Sequence, residues 1–273
     1  MALDLFYITN DPEIAKICEN YSVNRIWVDL EYMNKRLRQP NMNTVLSNHV
    51  IADVSTIRDS ISKAELMVRV NPIHDSSRQE IDEVIARGAD VVMLPFYQST
   101  EEVKKFISYV NGRARVMLLL ETIKAEQLID DYMPLDGIDE VHIGLNDLHL
   151  QYHMRFMFEL LANGKVETIC NALKKYNVKY GFGGIAKLDE GLLPARHIIT
   201  EHYRLGSQMA ILSRSFYDSW ISNDYEEIER AFRYGVGEIR DFEKRIEKEK
   251  PEFFKKNQET VREEVAAIVK RKA

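Results

Sequence analysis

Cysteine is almost missing. The 273 residues hold two, Cys18 and Cys170, far apart and each within a stretch of helical pattern. Two separate thiols make no disulfide framework, so a reducing, cytoplasmic setting is expected. No apolar run approaches the ~20 residues that a membrane span needs, and no membrane role is expected. The opening residues, MALDLFYITNDPE, lack a basic n-region and a long apolar h-region, so no signal peptide is expected. A basic surplus is also missing: net charge is −6 and the pI is near 5.7, which argues against nucleic acid as a partner. There is no low-complexity segment. No Rossmann-type glycine fingerprint follows the first strand, which weighs against a dinucleotide fold. The histidines show no metalloprotease spacing.

What is present suits a large globular core: 45% hydrophobic and 10% aromatic residues. The chain centres on residues 115–150, RVMLLLETIKAEQLIDDYMPLDGIDEVHIGLNDLHL. Two apolar runs, Val116–Leu120 and Val141–Leu145, each lead to a carboxylate: Glu121 directly, and Asp147 after a Gly144-Leu145-Asn146 turn. Between them Lys124–Met133 reads as a helix, with Ala125, Leu128, Ile129 and Tyr132 at helical spacing. Strand–helix–strand of this length is a βαβ unit with parallel, neighbouring strands. Glu121 and Asp147 then share one edge of the sheet. Like charges so close call for a proton or a cation between them, and a hard divalent cation fits two carboxylates with its other positions open. The plainer reading is two unrelated carboxylates, one of them capping a helix.

The rest of the chain repeats this alternation. Leu3–Ile8 reads as a strand, and Thr9-Asn10-Asp11-Pro12 caps a helix through Glu19. Asn24–Asp29 is a second strand ending in Asp29-Leu30-Glu31-Tyr32, followed by a basic loop with Lys35, Arg36 and Arg38. Thr44–Ala64 reads as helical with a break near Ala52–Ser55. Leu66–Val70 is a third strand, Ser76–Arg87 a helix stopped by Gly88, and Val91–Leu94 a fourth strand ending at Pro95. Ser99 caps a helix to Val110. After the central stretch come helix around Gly164 (Phe156–Tyr176), a strand at Lys179–Phe182 running into Gly183-Gly184-Ile185, and a helix at Leu192–Tyr203. Met209–Leu212 is the eighth strand, ending in Ser213-Arg214-Ser215.

Eight such units in about 220 residues give an α/β (β/α)8 TIM barrel over residues 1–222. The competing arrangement is an open doubly wound sheet. Residues 223–273 form a C-terminal helical extension. Ile228, Phe232, Val236, Ile239, Phe242 and Ile246 make an apolar stripe, and Pro251 starts a second helix with Phe254, Val261, Val265 and Ile268. The stripe covers either its own barrel or a neighbouring subunit; the expectation here is a subunit contact in a homo-oligomer.

In such a barrel the C-terminal strand ends form the active face. They present Asn10 and Asp11, Asp29 and Glu31, Arg69, Pro95, Glu121, Asp147, Gly183 and Gly184, and Ser213 and Arg214. Arg69 interrupts the apolar run LMVRV. It is costly to bury alone, so it either pairs with Glu31 or Asp29 or contacts an anionic substrate, and both can hold in one site. Gly183, Gly184, Ser213 and Arg214 stand where barrels bind phosphate, with a tight turn as the plainer reading for the glycines. Lys35, Arg36 and Arg38 read as a solvated loop near the mouth. His142, His149 and His153 flank Asp147. His142 alternates with Val141 and Ile143 and so faces the other side of the strand, and His149 reaches the mouth if its loop turns inward.

The segments WVDLEY (27–32), MVRV (67–70), GADVVMLPFYQSTEEV (88–103), LLLETIKA (118–125) and DGIDEVHIGLNDLHL (136–150) resemble the HpcH/HpaI aldolase and citrate lyase β-subunit family, within the phosphoenolpyruvate/pyruvate-binding barrel superfamily. The resemblance spans roughly residues 25–215. It implies a metal-dependent aldolase or carbon–carbon lyase acting through a pyruvate-like enolate. Glu121 and Asp147 would hold Mg²⁺ or Mn²⁺, Arg69 would contact a small oxo-acid substrate, and Glu31 would orient water or the metal's surroundings. Two positions depart from the family. Its proton-transferring histidine is Tyr32 here, and a usual glutamine is Leu119. The general base is then Tyr32, His149 or a metal-bound water. Two further readings stay open: a non-catalytic binding or scaffold protein on the same barrel, and an enzyme on a phosphorylated sugar or phosphonate using Arg214, Gly184 and Lys35.

Overall fold

In the computed structural model, which describes residues 2–33, 48–213, 216 and 224–272, eight parallel strands close into one barrel in chain order. They are β1 Asp4–Ile8, β2 Arg25–Asp29, β3 Glu65–Arg69, β4 Val91–Leu94, β5 Arg115–Leu120, β6 Glu140–Ile143, β7 Lys179–Ile185 and β8 Met209–Leu212, and β8 pairs with β1. The barrel, not the open sheet, is the fold. The helices between strands are α1 Pro12–Asn20, α2 Ile51–Ser60, α3 Ser77–Ala86, α4 Thr100–Val110, α5 Ile123–Gln127, α6 Ile129–Tyr132, α7 Leu145–Gln151, α8 Glu159–Ala162, α9 Lys165–Lys174 and α10 Ala195–Leu205. Beyond the barrel lie α11 Tyr225–Ile246 and α12 Pro251–Arg271. Among the described residues no helix is long and apolar enough to cross a membrane.

Local chemistry sets the helix starts. Asp11 accepts the Glu13 and Ile14 N–H groups at the head of α1, and Ser99 Oγ accepts the Glu102 N–H at the head of α4. The break expected near Ala52–Ser55 does not occur. The Asp53 carboxylate accepts the Val50 N–H at 2.9 Å and starts α2 there, and Val54 and Ile57 bury against the barrel. The earlier part of that expected helix, residues 44–47, lies outside the described residues. The expected helix Lys124–Met133 is two short ones, α5 and α6, broken at Leu128. The Thr122 side chain caps the first, and buried Tyr132 anchors the second by accepting the Tyr97 hydroxyl at 3.0 Å.

The tail folds back. Ile228, Phe232, Val236, Ile239, Phe242 and Ile246 are buried within the chain. Phe232 meets Tyr7 of β1 edge-on at 4.8 Å, and Glu243 accepts the Leu3 N–H at 2.7 Å. The stripe that the sequence aims at a subunit is thus taken up by its own barrel. α11 packs on α1 and α10. α12 lies on α10, where Asn257 donates to the Glu201 carboxylate at 3.0 Å.

Candidate active site

Side chains of a strand alternate between faces, so every second residue enters the barrel. Inward, β2 reads Arg25, Trp27, Asp29; β3 reads Glu65, Met67, Arg69; β5 reads Arg115, Met117, Leu119 and then Glu121; β6 reads Glu140, His142 and then Gly144. The same order recurs: charge at the floor, an apolar middle, polar groups at the mouth. At the floor, fully buried Arg25 pairs with Glu140 and with Glu65 at 2.6 Å, and Lys179 pairs with Asp4. In the middle, Phe6, Trp27, Met67, Val91, Met93, Met117, Leu119 and Met209 form one cluster that shuts the barrel. The mouth is therefore the open end.

At the mouth Asp29 and Arg69 are register partners on adjacent strands. Arg69 donates twice to Asp29, Nε and Nη2 each at 2.8 Å, and its Nη1 lies 3.3 Å from Glu31. The guanidinium also covers the Trp27 ring at 4.9 Å. Burial opposes its charge, but Asp29, Glu31 and then Glu121 outweigh burial and push its pKa above the usual arginine value. Of the two readings of Arg69, the salt bridge is the one seen: two donors go to Asp29, and Nη1 turns toward Glu31.

Glu121 follows β5 and is buried at 3% exposure. Its Oε1 accepts the Phe96 N–H at 3.0 Å. Leu120 pairs in register with Ile143, so Glu121 lies beside Gly144. A Cβ on Gly144 would sit 2.7 Å from the Glu121 Cβ and 3.0 Å from its Oε2, so only glycine leaves room for this carboxylate. The expected turn after β6 is instead the first turn of α7, which carries Asp147. β5 and β6 are parallel neighbours, with Glu121 directly after the first and Asp147 in the helix turn after the second. Among the described residues no three His, Cys, Asp or Glu side chains gather around one point. A cation here would rest on Glu121 and Asp147 and complete its shell with water or substrate oxygens, which suits Mg²⁺ or Mn²⁺.

The other expected site residues divide. Tyr32 donates its N–H to Asn71 Oδ1 at 3.1 Å, but the residue is 72% exposed and its ring stands in solvent. His149 is on α7 and not on an inward-turning loop. It is buried, and its Nδ1 bonds back to the carbonyls of Asn146 and Leu145. Gly183 makes no tight turn: it sits inside β7 at φ +55°, where the β7–β8 register shifts. Its carbonyl accepts from His142 Nε2 at 3.2 Å, and a Cβ there would strike Leu145 Cδ1 at 2.8 Å. His142 does face the barrel interior, opposite to Val141 and Ile143. Gly184 faces β8 near Ser213, whose N–H donates to Ile185 O at 2.8 Å. Arg214, Lys35, Arg36 and Arg38 lie outside the described residues.

The sequence reading misses His49, whose Nδ1 accepts the Asp29 N–H at 3.0 Å, and the Phe96 N–H on Glu121. Neither has a local signal. His49 sits in a stretch without strand or helix pattern, and a backbone donor has no residue type.

Comparison with known proteins bears on the family and the fold. The family model described as HpcH/HpaI aldolase/citrate lyase matches residues 3–158. No curated protein matches. Among solved structures, the HpcH/HpaI aldolase from Desulfitobacterium hafniense DCB-2 superposes with a TM-score of 0.61 at 16% identity, covering 78% of this chain and 86% of that one. An HpcH/HpaI aldolase/citrate lyase family protein from Burkholderia cenocepacia J2315 gives 0.60 at 14% identity, covering 88% and 95%. Citrate synthase SbnG also gives 0.60 at 14% identity, covering 86% and 92%. Identities this low speak for the fold alone.

Proposed function

The chain belongs to the HpcH/HpaI aldolase/citrate lyase family, and from that premise we propose a divalent-metal-dependent carbon–carbon lyase that works through a pyruvate-like enolate. Membership supports an enzyme of lyase or aldolase type. The observation that carries the finer reading is buried Glu121 fitted against Gly144, with Asp147 in the first turn of the helix after the next strand and Arg69 within electrostatic reach.

Glu121 and Asp147 are the residues suited to hold Mg²⁺ or Mn²⁺, which when bound would supply Lewis-acid stabilisation to the carboxylate and keto oxygens of a small oxo acid. The chain's own groups do the rest. Phe96 N–H and the gap at Gly144 fix the Glu121 carboxylate in one orientation. Asp29 and Glu31 keep Arg69 charged and aimed, and Arg69 stabilises negative charge on the substrate oxygen. Gly183, Gly184 and Ser213, on and after β7 and β8, are the further substrate contacts of this reading. The apolar layer at Trp27, Met93, Met117 and Leu119 closes the barrel beneath. The carbon–carbon bond is made or broken at the enolate carbon.

Exchange of the methyl protons of pyruvate in D₂O tests this without the second substrate. The metal-loaded protein is expected to exchange them, and EDTA or Arg69→Lys to suppress exchange. No exchange by the metal-loaded wild type would contradict the reading.

A further inference from the structure

We propose that Thr122 is a positioning residue for the cation site: its hydroxyl fixes the loop after β4, whose Phe96 N–H holds the Glu121 carboxylate in place for the metal. The inference rests on the reading of Glu121 as a metal ligand and names what sets that ligand's position.

Side chains take over here from the strand ladder. β4 and β5 pair in register as far as Leu94 and Leu118. The next residue of the β4 chain, Pro95, has no N–H and cannot extend the ladder. Beyond it, two bonds tie the loop after β4 to the end of β5. The Phe96 N–H donates to Glu121 Oε1 at 3.0 Å, and the Thr122 hydroxyl donates to Tyr97 O at 2.9 Å. Two consecutive residues of one chain segment thus meet two consecutive residues of the other. Thr122 is buried, and its hydroxyl oxygen also accepts the Ala125 N–H at 2.9 Å. Its donor and an acceptor position are both engaged.

The loop is held against its own preference. Phe96 sits at φ +49°, in the left-handed region that a bulky residue rarely adopts. Such a conformation persists only where the surroundings over-determine it, and it gathers at functional sites. Here the next residue supplies the constraint. Tyr97 is buried, its ring meets Tyr132 edge-on at 5.3 Å, and its hydroxyl donates to Tyr132 at 3.0 Å. Those two ties hold the side chain. The Thr122 hydroxyl holds the backbone, at the carbonyl of the residue after Phe96. It also comes from the residue that follows Glu121, so the bonds close a ring: Glu121 carboxylate, Phe96 N–H, Tyr97 carbonyl, Thr122 hydroxyl. A carboxylate fixed in this way meets a cation in one orientation, and partners of this kind set the affinity of a metal site.

Mn²⁺ affinity, read by titration calorimetry beside the melting temperature of the metal-free protein, separates this role from a structural one. Thr122→Val keeps the shape and loses the hydroxyl. Its Mn²⁺ affinity is expected to fall about tenfold, the usual cost of losing a partner behind a metal ligand. Thr122→Ser restores the hydroxyl and should recover the wild-type affinity. Tyr97→Phe keeps the ring, loses the bond to Tyr132, and should weaken Mn²⁺ binding by less than Thr122→Val does. A Thr122→Val protein that melts lower yet binds Mn²⁺ as the wild type does would show a helix cap and nothing more, and would overturn the proposal. Thr122→Ser binding as weakly as Thr122→Val would overturn it as well. Should Thr122→Val not fold, wild-type affinity in Tyr97→Phe overturns it instead. A wild type that binds no Mn²⁺, or whose binding survives Glu121→Gln, overturns the reading of Glu121 as a ligand and this inference with it.

Discussion

The Arg69 guanidinium and the Asp29 carboxylate meet face to face through two hydrogen bonds of 2.8 Å. Both groups are almost fully buried, on adjacent strands and in register. Removing one partner leaves the other charge buried and short of a counter-charge. Asp29→Asn is therefore expected to cost about 3 kcal/mol of stability, read from urea unfolding. Activity should fall further than stability explains, because Arg69 loses its aim. An unchanged unfolding midpoint would show that Glu31 alone holds the arginine.

Gly144 carries the second expectation. A methyl there would collide with the Cβ and Oε2 of Glu121, at 2.7 and 3.0 Å. Gly144→Ala should displace the carboxylate and weaken Mn²⁺ binding by about tenfold or more, with the circular dichroism unchanged. Wild-type affinity in this variant would mean that the metal does not use Glu121.

Much of this is legible in the amino-acid order, and the limits follow physical lines. The period of strand and helix yields eight strands because short apolar runs survive in every unit, as in VVML and MAIL. Glu121, Asp147 and Arg69 are legible because each charge stands at or just past the end of an apolar run, where a barrel strand meets the mouth. Tyr32 misleads because its neighbour Glu31 points inward, and one step along the chain turns a side chain to the other side. The glycines at 183 and 184 read as a turn, yet the strand continues through a bulge, since φ > 0 serves either. His49 is invisible in the sequence, because only the closure of β1 on β2 brings residue 49 to residue 29. The tail's stripe is plain, but a stripe does not state whose surface it covers.

That surface gives the third expectation. Phe232 is fully buried between Tyr7 and Phe216. Phe232→Ala should cost about 3–5 kcal/mol, as large cavities in a core do. Deleting residues 224–273 should leave an insoluble or unfolded barrel and not a stable one of lower mass. A folded, soluble truncation would contradict the packing role of α11.

Acid should weaken the fold early. Burial pushes the His142 pKa down to about 4, with Arg25 adding to it against the Gly183 bond. Burial and then His142 push His202 down to about 3. Both are near 6.5 in an unfolded chain. Above that pH both are neutral in either state and nothing changes. As pH falls from about 6.5 toward 4, the unfolded chain takes up protons that the folded one refuses, so stability falls. His142 alone accounts for about 3 kcal/mol by pH 4. Urea midpoints at pH 7.5, 6 and 5 should decline steadily below pH 6.5. A flat profile over this range would contradict the buried, neutral state of these rings.

The central claim is that Glu121 and Asp147 form a cation site at the barrel mouth. Titration calorimetry of the wild type with Mn²⁺ or Mg²⁺ tests it most directly, beside the near-isosteric Glu121→Gln. One divalent cation per chain is expected for the wild type and none for the variant at the same concentrations. Equal binding by Glu121→Gln, or no binding by the wild type, would contradict it.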